Sequence, residues 1–162
     1  MSERSTISSH GSLRRVRRIA EFQFGRGAGE ALFPETCTFQ YSTSKRIRYI
    51  SDGGRRLATV RAQDGRLTLS YDGAERIHAF SAPPMGRVIL HPEAVPFVLA
   101  GKNAMAKHVI GADPDIRAED EVFVVDEEDI LLATGMAVLS GSEMLEFKYG
   151  GAVKVRQGRD KR

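Results

Sequence analysis

The chain has 162 residues, 41% of them hydrophobic, enough to bury one ordinary core or two small ones without metals or disulfides as staples. Its single cysteine, Cys37, excludes an internal disulfide and a cysteine-built zinc site. The net charge of +3 is unevenly spread: residues 1–85 carry fourteen Lys/Arg against eight Asp/Glu, residues 86–162 ten against thirteen. A cationic half points to a polyanionic partner, the plainer alternative being a solvated surface. No apolar run approaches the ~20 residues of a membrane span, and the polar N-terminus lacks the apolar core of a signal peptide. Together with the lone thiol this leads us to expect a cytoplasmic protein with no membrane partner.

Residues 1–12 are serine-rich without apolar periodicity and are expected as a disordered tail. Leu13, Val16, Ile19, Ala20 and Phe24 then recur at spacings of three and four, predicting a helix with one buried face and Arg14, Arg15, Arg17 and Arg18 on its other side. Gly25 and Gly27 interrupt it, and Pro34 closes the segment. Strand-like stretches follow at Thr36–Tyr41, Arg46–Ser51, Arg56–Ala62 and Arg66–Tyr71, punctuated by Asp52-Gly53-Gly54, Asp64-Gly65 and Asp72-Gly73. They read as an antiparallel meander packed on the first helix, with a second helix near Ala74–Phe80. Ala82-Pro83-Pro84 is the expected linker. Beyond it come Arg87–Leu90 and a short helix over Pro92–Ala100, whose stripe of Ala94, Val95, Val98 and Leu99 ends at Gly101. A strand over 104–110 and a turn at Asp113-Pro114 follow, then strands at Glu121–Val125, Leu131–Leu139 and Lys148–Val155. Residues 126–129 and Ser140-Gly141-Ser142 separate these last strands. The fold class is α+β, with domains over 13–82 and 85–158.

Four pieces of the second half, in order, resemble the PUA domain. They are Gly101 to Val109; Asp115 to Val122, similar to the family's D-x-x-I-x-x-G-D-x-V turn; Leu132-Ala133-Thr134-Gly135-Met136-Ala137, similar to L-A-x-G-x-A; and Gly150 to Val155, similar to the closing G-x-A-V-x strand. Glu119 stands where the family's turn has glycine, which puts the turn geometry in question. The resemblance implies a β-pseudobarrel of the kind found in RNA-modifying enzymes. It also implies a grip on the end of an RNA helix through Gly101, Lys102, Asn103 and Lys107 on one side and Lys148, Lys154 and Arg156 on the last strand. Upstream, Phe22 to Gly29, Ser44 to Ile50 and Leu57 to Leu69 resemble the small domain that precedes PUA in the archaeosine tRNA-guanine transglycosylases of archaea. A stand-alone archaeal protein like that enzyme's C-terminal region is implied, with RNA as partner, tRNA first. The alternative is an RNA-gripping accessory subunit of a tRNA-modifying catalytic chain.

The chain is not expected to be an enzyme. By the resemblance, the transglycosylase needs a large barrel with a carboxylate nucleophile and a bound zinc, and such barrels take roughly 250 residues. His10, His78, His91 and His108 show no metal-ligand spacing, so no catalytic residue, cofactor or metal is assigned. His108 reads as a buried, hydrogen-bonded strand residue, and Glu127-Glu128-Asp129 as a solvated turn rather than a cation site. Gly25 to Gly29 lacks the context of a phosphate loop and reads as close packing, with Arg26 able to touch a phosphate. Arginines suit phosphates, and Arg17 and Arg18 on the helix and Arg46 and Arg48 on one strand face are the RNA contacts expected in the first half, with Arg55-Arg56 as a further group. Asn103 can serve a base edge or a 2′-hydroxyl. Few aromatics lie among these charges, so shape and backbone recognition of a structured RNA is expected rather than base stacking. The nine acidic residues between Asp113 and Asp129 leave the other edges less acidic, as a one-sided grip requires, or else form a protein interface.

Overall fold

The computed structural model describes residues 2–162, with side chains from residue 9 onward. The chain forms two compact units, one ending at Phe80 and one beginning at Ser81.

The first unit opens with helix α1 (Ser2–Phe24), which therefore includes residues 2–12, expected as a tail. Within this stretch Ser12 is buried, its hydroxyl 2.7 Å from that of Tyr41. Leu13, Val16, Ala20 and Phe24 are buried, while Phe22 is almost fully exposed. Gly25 and Gly27 break the helix at φ +103° and +90°, and α2 (Ala28–Leu32) follows. Strands β1 (Thr38–Tyr41), β2 (Ile47–Asp52), β3 (Arg55–Val60) and β4 (Leu67–Leu69) form an antiparallel meander in that order. The outer edge of β4 pairs with a side chain: Gln23 Nε2 donates to Leu67 O at 2.8 Å and Leu67 N donates to Gln23 Oε1 at 2.8 Å. Asp72-Gly73 is no turn. It lies inside α3 (Tyr71–Phe80), where a Cβ on Gly73 would strike the Leu57 carbonyl, so glycine lets the helix press on β3.

The second unit is a six-stranded sheet, ordered β6-β10-β9-β8-β5-β7, curled into a nearly closed barrel. Its strands are β5 (Arg87–Leu90), β6 (Ala104–Met105), β7 (Val109–Ala112), β8 (Glu121–Val125), β9 (Leu131–Ala137) and β10 (Gly151–Gly158). All pairs are antiparallel except β5 with β8. The core gathers Val88, Leu90, Val98, Val122, Leu132 and Val153 with their neighbours. Short helix α4 (Val95–Leu99) follows a 3-10 turn over Pro92–Ala94.

Three local expectations change. The strand expected over 104–110 splits around a 3-10 turn at Ala106–His108, with Ala106 buried and its N–H donating to Gly150 O at 2.9 Å. His108 is consequently a half-buried turn residue rather than a buried strand residue. Ser140 does not merely mark a turn; it caps α5 (Gly141–Glu146) in a capping box with Glu143, and so β10 starts at Gly151 rather than Lys148. The Glu119 turn forms in spite of the missing glycine, with Glu119 at φ +77° and its N–H donating to Ala137 O at 2.7 Å.

A left-handed non-glycine residue costs ~1–2 kcal/mol, part of which glycine returns as unfolded-state entropy. Glu119→Gly is therefore expected to stabilise the second unit by about 0.5–1 kcal/mol, read as a higher urea midpoint at unchanged m-value. A second expectation concerns Cys37, whose thiol is pushed up to about 11 by burial, with the Asp52 charge adding to the effect. The folded value lies above the ordinary 9.0, so the stabilisation is whole below pH 9 and is lost as pH rises toward 11. Alkylation of the native protein at pH 8 should be far slower than after unfolding; equal rates would contradict this burial.

Candidate nucleic-acid interface

The second unit's sheet ends at β6, only two residues long, which pairs with β10 through Met105↔Gly151 and Ala104↔Val153. At one end of this ladder Lys107 follows the Ala106–Gly150 bond, and Lys148 lies two residues before Gly150. At the other end Gly101 leaves α4 at φ +99°, with open space around it. Asn103 Oδ1 accepts from Val155 N at 3.0 Å, which ties the approach to β6 onto β10 between Lys154 and Arg156. The structure thus brings Gly101, Lys102, Asn103, Lys107, Lys148, Lys154 and Arg156 onto two neighbouring strands and their flanking loops. Lys102, Lys107, Lys148 and Lys154 are exposed, and none is paired with an acid among the described residues.

Two of the seven are committed internally. The register of β10 against β9 slips between Val155 and Gln157, leaving Arg156 as the extra residue. Such a bulge re-aims a side chain. Arg156 spans to β8 and grips Glu121 with both terminal nitrogens, at 2.7 and 2.5 Å. The Glu121 side chain is only 1% exposed, so this ion pair is a structural bond and the guanidinium is not an open RNA contact. Asn103 has likewise given its carbonyl to Val155, leaving its amide N–H groups as the part able to face a ligand.

Exposed aromatics, for which there was no expectation from sequence, also lie at this edge. Phe147 and Tyr149 flank Lys148 and are 41% and 83% exposed. Tyr149 falls inside the strand expected over Lys148–Val155 and Phe147 just before it; the strand begins instead at Gly151, and both rings lie outside it. An aromatic beside lysines offers a stacking surface for a base next to the phosphates that the lysines hold.

The other expected contacts belong to the first unit. Arg17 is half-buried, its Nε donating to Phe33 O at 2.9 Å, which makes it a packing residue. Arg18 is exposed on an open groove of about 440 Å³ that includes Phe22 and Arg66. Arg48, on β2, and Arg46, just before it and so not on a shared strand face, are both exposed. Arg48 Nε donates to the Tyr49 hydroxyl at 3.1 Å, and the Arg56 guanidinium lies 3.8 Å from the centre of the Tyr49 ring. The Arg48 hydrogen bond and charge hold the Tyr49 hydroxyl below the ordinary tyrosine value.

Five of the nine acids from Asp113 to Asp129 are engaged inside the fold, while Asp115, Glu119, Glu127 and Glu128 are exposed. Asp113 accepts from Gly86 N and Asp115 N, Asp120 from Arg117 N, and Asp126 from Glu128 N and Ile130 N. Asp129, read from sequence as part of a solvated turn, faces the buried Arg87 at 3.1 Å. Among the described residues no group of three or more His, Cys, Asp or Glu is placed to hold a metal ion. No helix among them is long and apolar enough to cross a membrane.

Comparison with known proteins accounts for both units. Residues 86–159 match the PUA domain, an RNA-binding module, and residues 14–84 match the patch-forming domain C2 of tRNA-guanine transglycosylase. The two matches, in chain order, follow the plan of the C-terminal region of archaeal tRNA-guanine(15) transglycosylases. It is similar to that enzyme of Pyrococcus abyssi, 49% identical over 147 residues, covering 91% of this chain and 25% of the relative. The chain spans about a quarter of the length of the curated relatives it matches. Two solved structures share the fold along nearly the whole chain. A hypothetical protein of Pyrococcus horikoshii has a TM-score of 0.69 at 23% identity, covering 90% of this chain and 89% of its own. A PUA domain protein of Thermoplasma acidophilum has a TM-score of 0.60 at 20% identity, with 93% and 89% covered.

The Arg156–Glu121 pair gives a direct expectation. Arg156→Ala strands a buried carboxylate and should cost about 2 kcal/mol, less than a fully buried pair because the arginine is partly solvated. Urea denaturation checks it, and Arg156→Ala combined with Glu121→Gln should recover part of the loss.

Proposed function

We propose that this chain is an RNA-binding protein without bond chemistry of its own, which grips a structured RNA, tRNA first, along the β6–β10 edge of its PUA domain. The observation that carries the reading is the set of four exposed lysines, Lys102, Lys107, Lys148 and Lys154, gathered around one short ladder with no acid to neutralise them among the described residues. Each lysine that meets a phosphate releases counterions. Gly101 and Gly150, both at positive φ with open space beside them, let sugar or phosphate approach the backbone. The Asn103 amide is left to reach a 2′-hydroxyl or a base edge, and Phe147 or Tyr149 to stack on a base that lies outside a helix. Two observations support the reading without catalysis: the chain matches a quarter of the length of its enzyme relatives, and no group of three or more His, Cys, Asp or Glu among the described residues is placed to hold a metal ion. The work is that of a cytoplasmic protein meeting its RNA there.

A second reading is favoured by one observation, the close match to a quarter of a transglycosylase. In it the chain is the RNA-gripping accessory of a catalytic chain that modifies tRNA, using the same surface. As a protein interface the acidic stretch would rest on the four exposed acids Asp115, Glu119, Glu127 and Glu128, since the other five are engaged internally.

Filter binding of purified protein to bulk tRNA at two salt concentrations tests the reading, with Lys102→Glu/Lys107→Glu alongside. Salt-dependent binding lost in the double variant is expected, with the log–log salt slope reduced by about two. No binding at low salt would overturn an autonomous grip and leave the accessory reading, tested by the same titration with the catalytic chain added.

A further inference from the structure

The first unit carries a cluster that this reading does not use. On β2 and β3, Tyr49 is half-buried with Arg48 and Arg56 exposed at its rim. Arg56 stacks on the ring at 3.8 Å from its centre, and Arg48 bonds the hydroxyl through Nε at 3.1 Å, its guanidinium carbon 5.4 Å from the same ring centre. A stacked guanidinium keeps all its N–H donors in one plane pointing past the ring edge, and an arginine bonded through Nε keeps both terminal nitrogens for a partner. Neither arginine has an ion pair among the described residues. The nearest acid along the strand, Asp52, is occupied by Thr36 and Arg76. The positions paired with Tyr49 are Gln40 and Thr59, both uncharged. The immediate neighbour Arg55 behaves differently, turning to Asp72 at 3.4 Å.

We propose that Tyr49 is a positioning residue that holds Arg48 and Arg56 as a two-armed clamp for phosphodiester groups of the bound RNA, a second contact on the C2 domain. The proposal rests on the RNA-binding reading above. Arginines are ordinarily costly to order, because each long side chain surrenders its rotamers on binding. Here the tyrosine has already fixed both, one by stacking and one by a hydrogen bond, so more of each contact survives as affinity. The Tyr49 hydroxyl accepts from Arg48 and keeps its own O–H as a further donor that can turn to an anion held by the guanidinium groups. A phosphate held by planar forks is a geometric demand that a lysine cannot meet by charge alone.

The test is filter binding of bulk tRNA across a salt series with Arg56→Lys, Arg48→Ala/Arg56→Ala, Tyr49→Leu and Arg55→Ala, each checked for an unchanged melting temperature. The clamp predicts that Arg48→Ala/Arg56→Ala lowers the salt slope by about two and weakens binding roughly tenfold at low salt. It predicts that Arg56→Lys, which keeps the charge, is weakened several-fold, that Tyr49→Leu follows it with both arginines intact, and that Arg55→Ala stays near the wild type. Binding lost equally in Arg55→Ala would mean diffuse charge and overturn the clamp. So would wild-type affinity in Arg48→Ala/Arg56→Ala while Lys102→Glu/Lys107→Glu is impaired, an outcome that leaves the PUA grip standing. Normal binding by Tyr49→Leu would overturn the positioning role. A wild-type protein that binds no tRNA at any salt would remove the RNA-binding reading and the clamp with it.

Discussion

The C-terminal unit depends on how closely β10 can approach what lies on either side of it. At Gly135 on β9 a Cβ would collide with the Lys154 carbonyl and sit 2.9 Å from Val155 Cα; at Gly158 it would sit 2.8 Å from Gly101 N and within 2.5 Å of the Val98 carbonyl. Glycine at both places lets the strand lie flush against β9 and against the end of α4. From that seating the rest follows. Strand alternation turns Lys154 outward, Asn103 finds Val155 N, and the slip at Arg156 throws its side chain across to Glu121. The lysines surround the ladder because a strand with no clearance on its inner sides has its variable chemistry only on its rim. The motif glycine of L-A-x-G-x-A is thus a steric condition for the seating of β10.

A second constraint sits where this unit begins. Arg87 is 2% exposed, yet its guanidinium is satisfied by Asp129, by the Ser81 hydroxyl and carbonyl, and by Met85 O. A buried charge is tolerated only when so surrounded. The arrangement joins β5 to the turn that follows β8 across the one parallel pair of the sheet, a pairing that no tight turn can make. Asp129 adopts φ +63° to reach it, which explains an acidic turn that composition alone reads as solvated.

Much of this was legible in the sequence where period and punctuation agreed. The heptad-like spacing from Leu13 to Phe24, the paired glycines after it, the Asp-Gly turns of the meander and the whole of β8 are written in residue order. The PUA pieces were legible because several motifs fell in the right sequence, and the residues carried over with them lie on β6, β10 and their flanking loops. What escaped were features decided by partners far along the chain. Gly73 looked like a turn because nothing local says that the Leu57 carbonyl lies against it. Arg17 and Arg156 looked like phosphate contacts because nothing local says that Phe33 O and Glu121 claim them. Ser140 and Glu143 were a missed local signal, since a serine three residues before a glutamate marks a helix start, and that omission hid the exposed Phe147 and Tyr149. Tyr49 was missed because an aromatic in a strand is read as core, and only cross-strand geometry shows Arg56 lying over it.

The pairing of Gln23 with Leu67 has a consequence for how α1 can move. A helix that packs on a sheet only through apolar contacts can slide or roll by a fraction of a turn at little cost, since one aliphatic neighbour replaces another. Gln23 closes both main-chain groups of Leu67 at once, a match with a single geometric solution. The helix is therefore keyed to β4 at one rotational phase and one axial height. Arg18, one turn earlier, and Phe22, beside the key, inherit that phase and are presented outward at a fixed bearing rather than sampled over an arc.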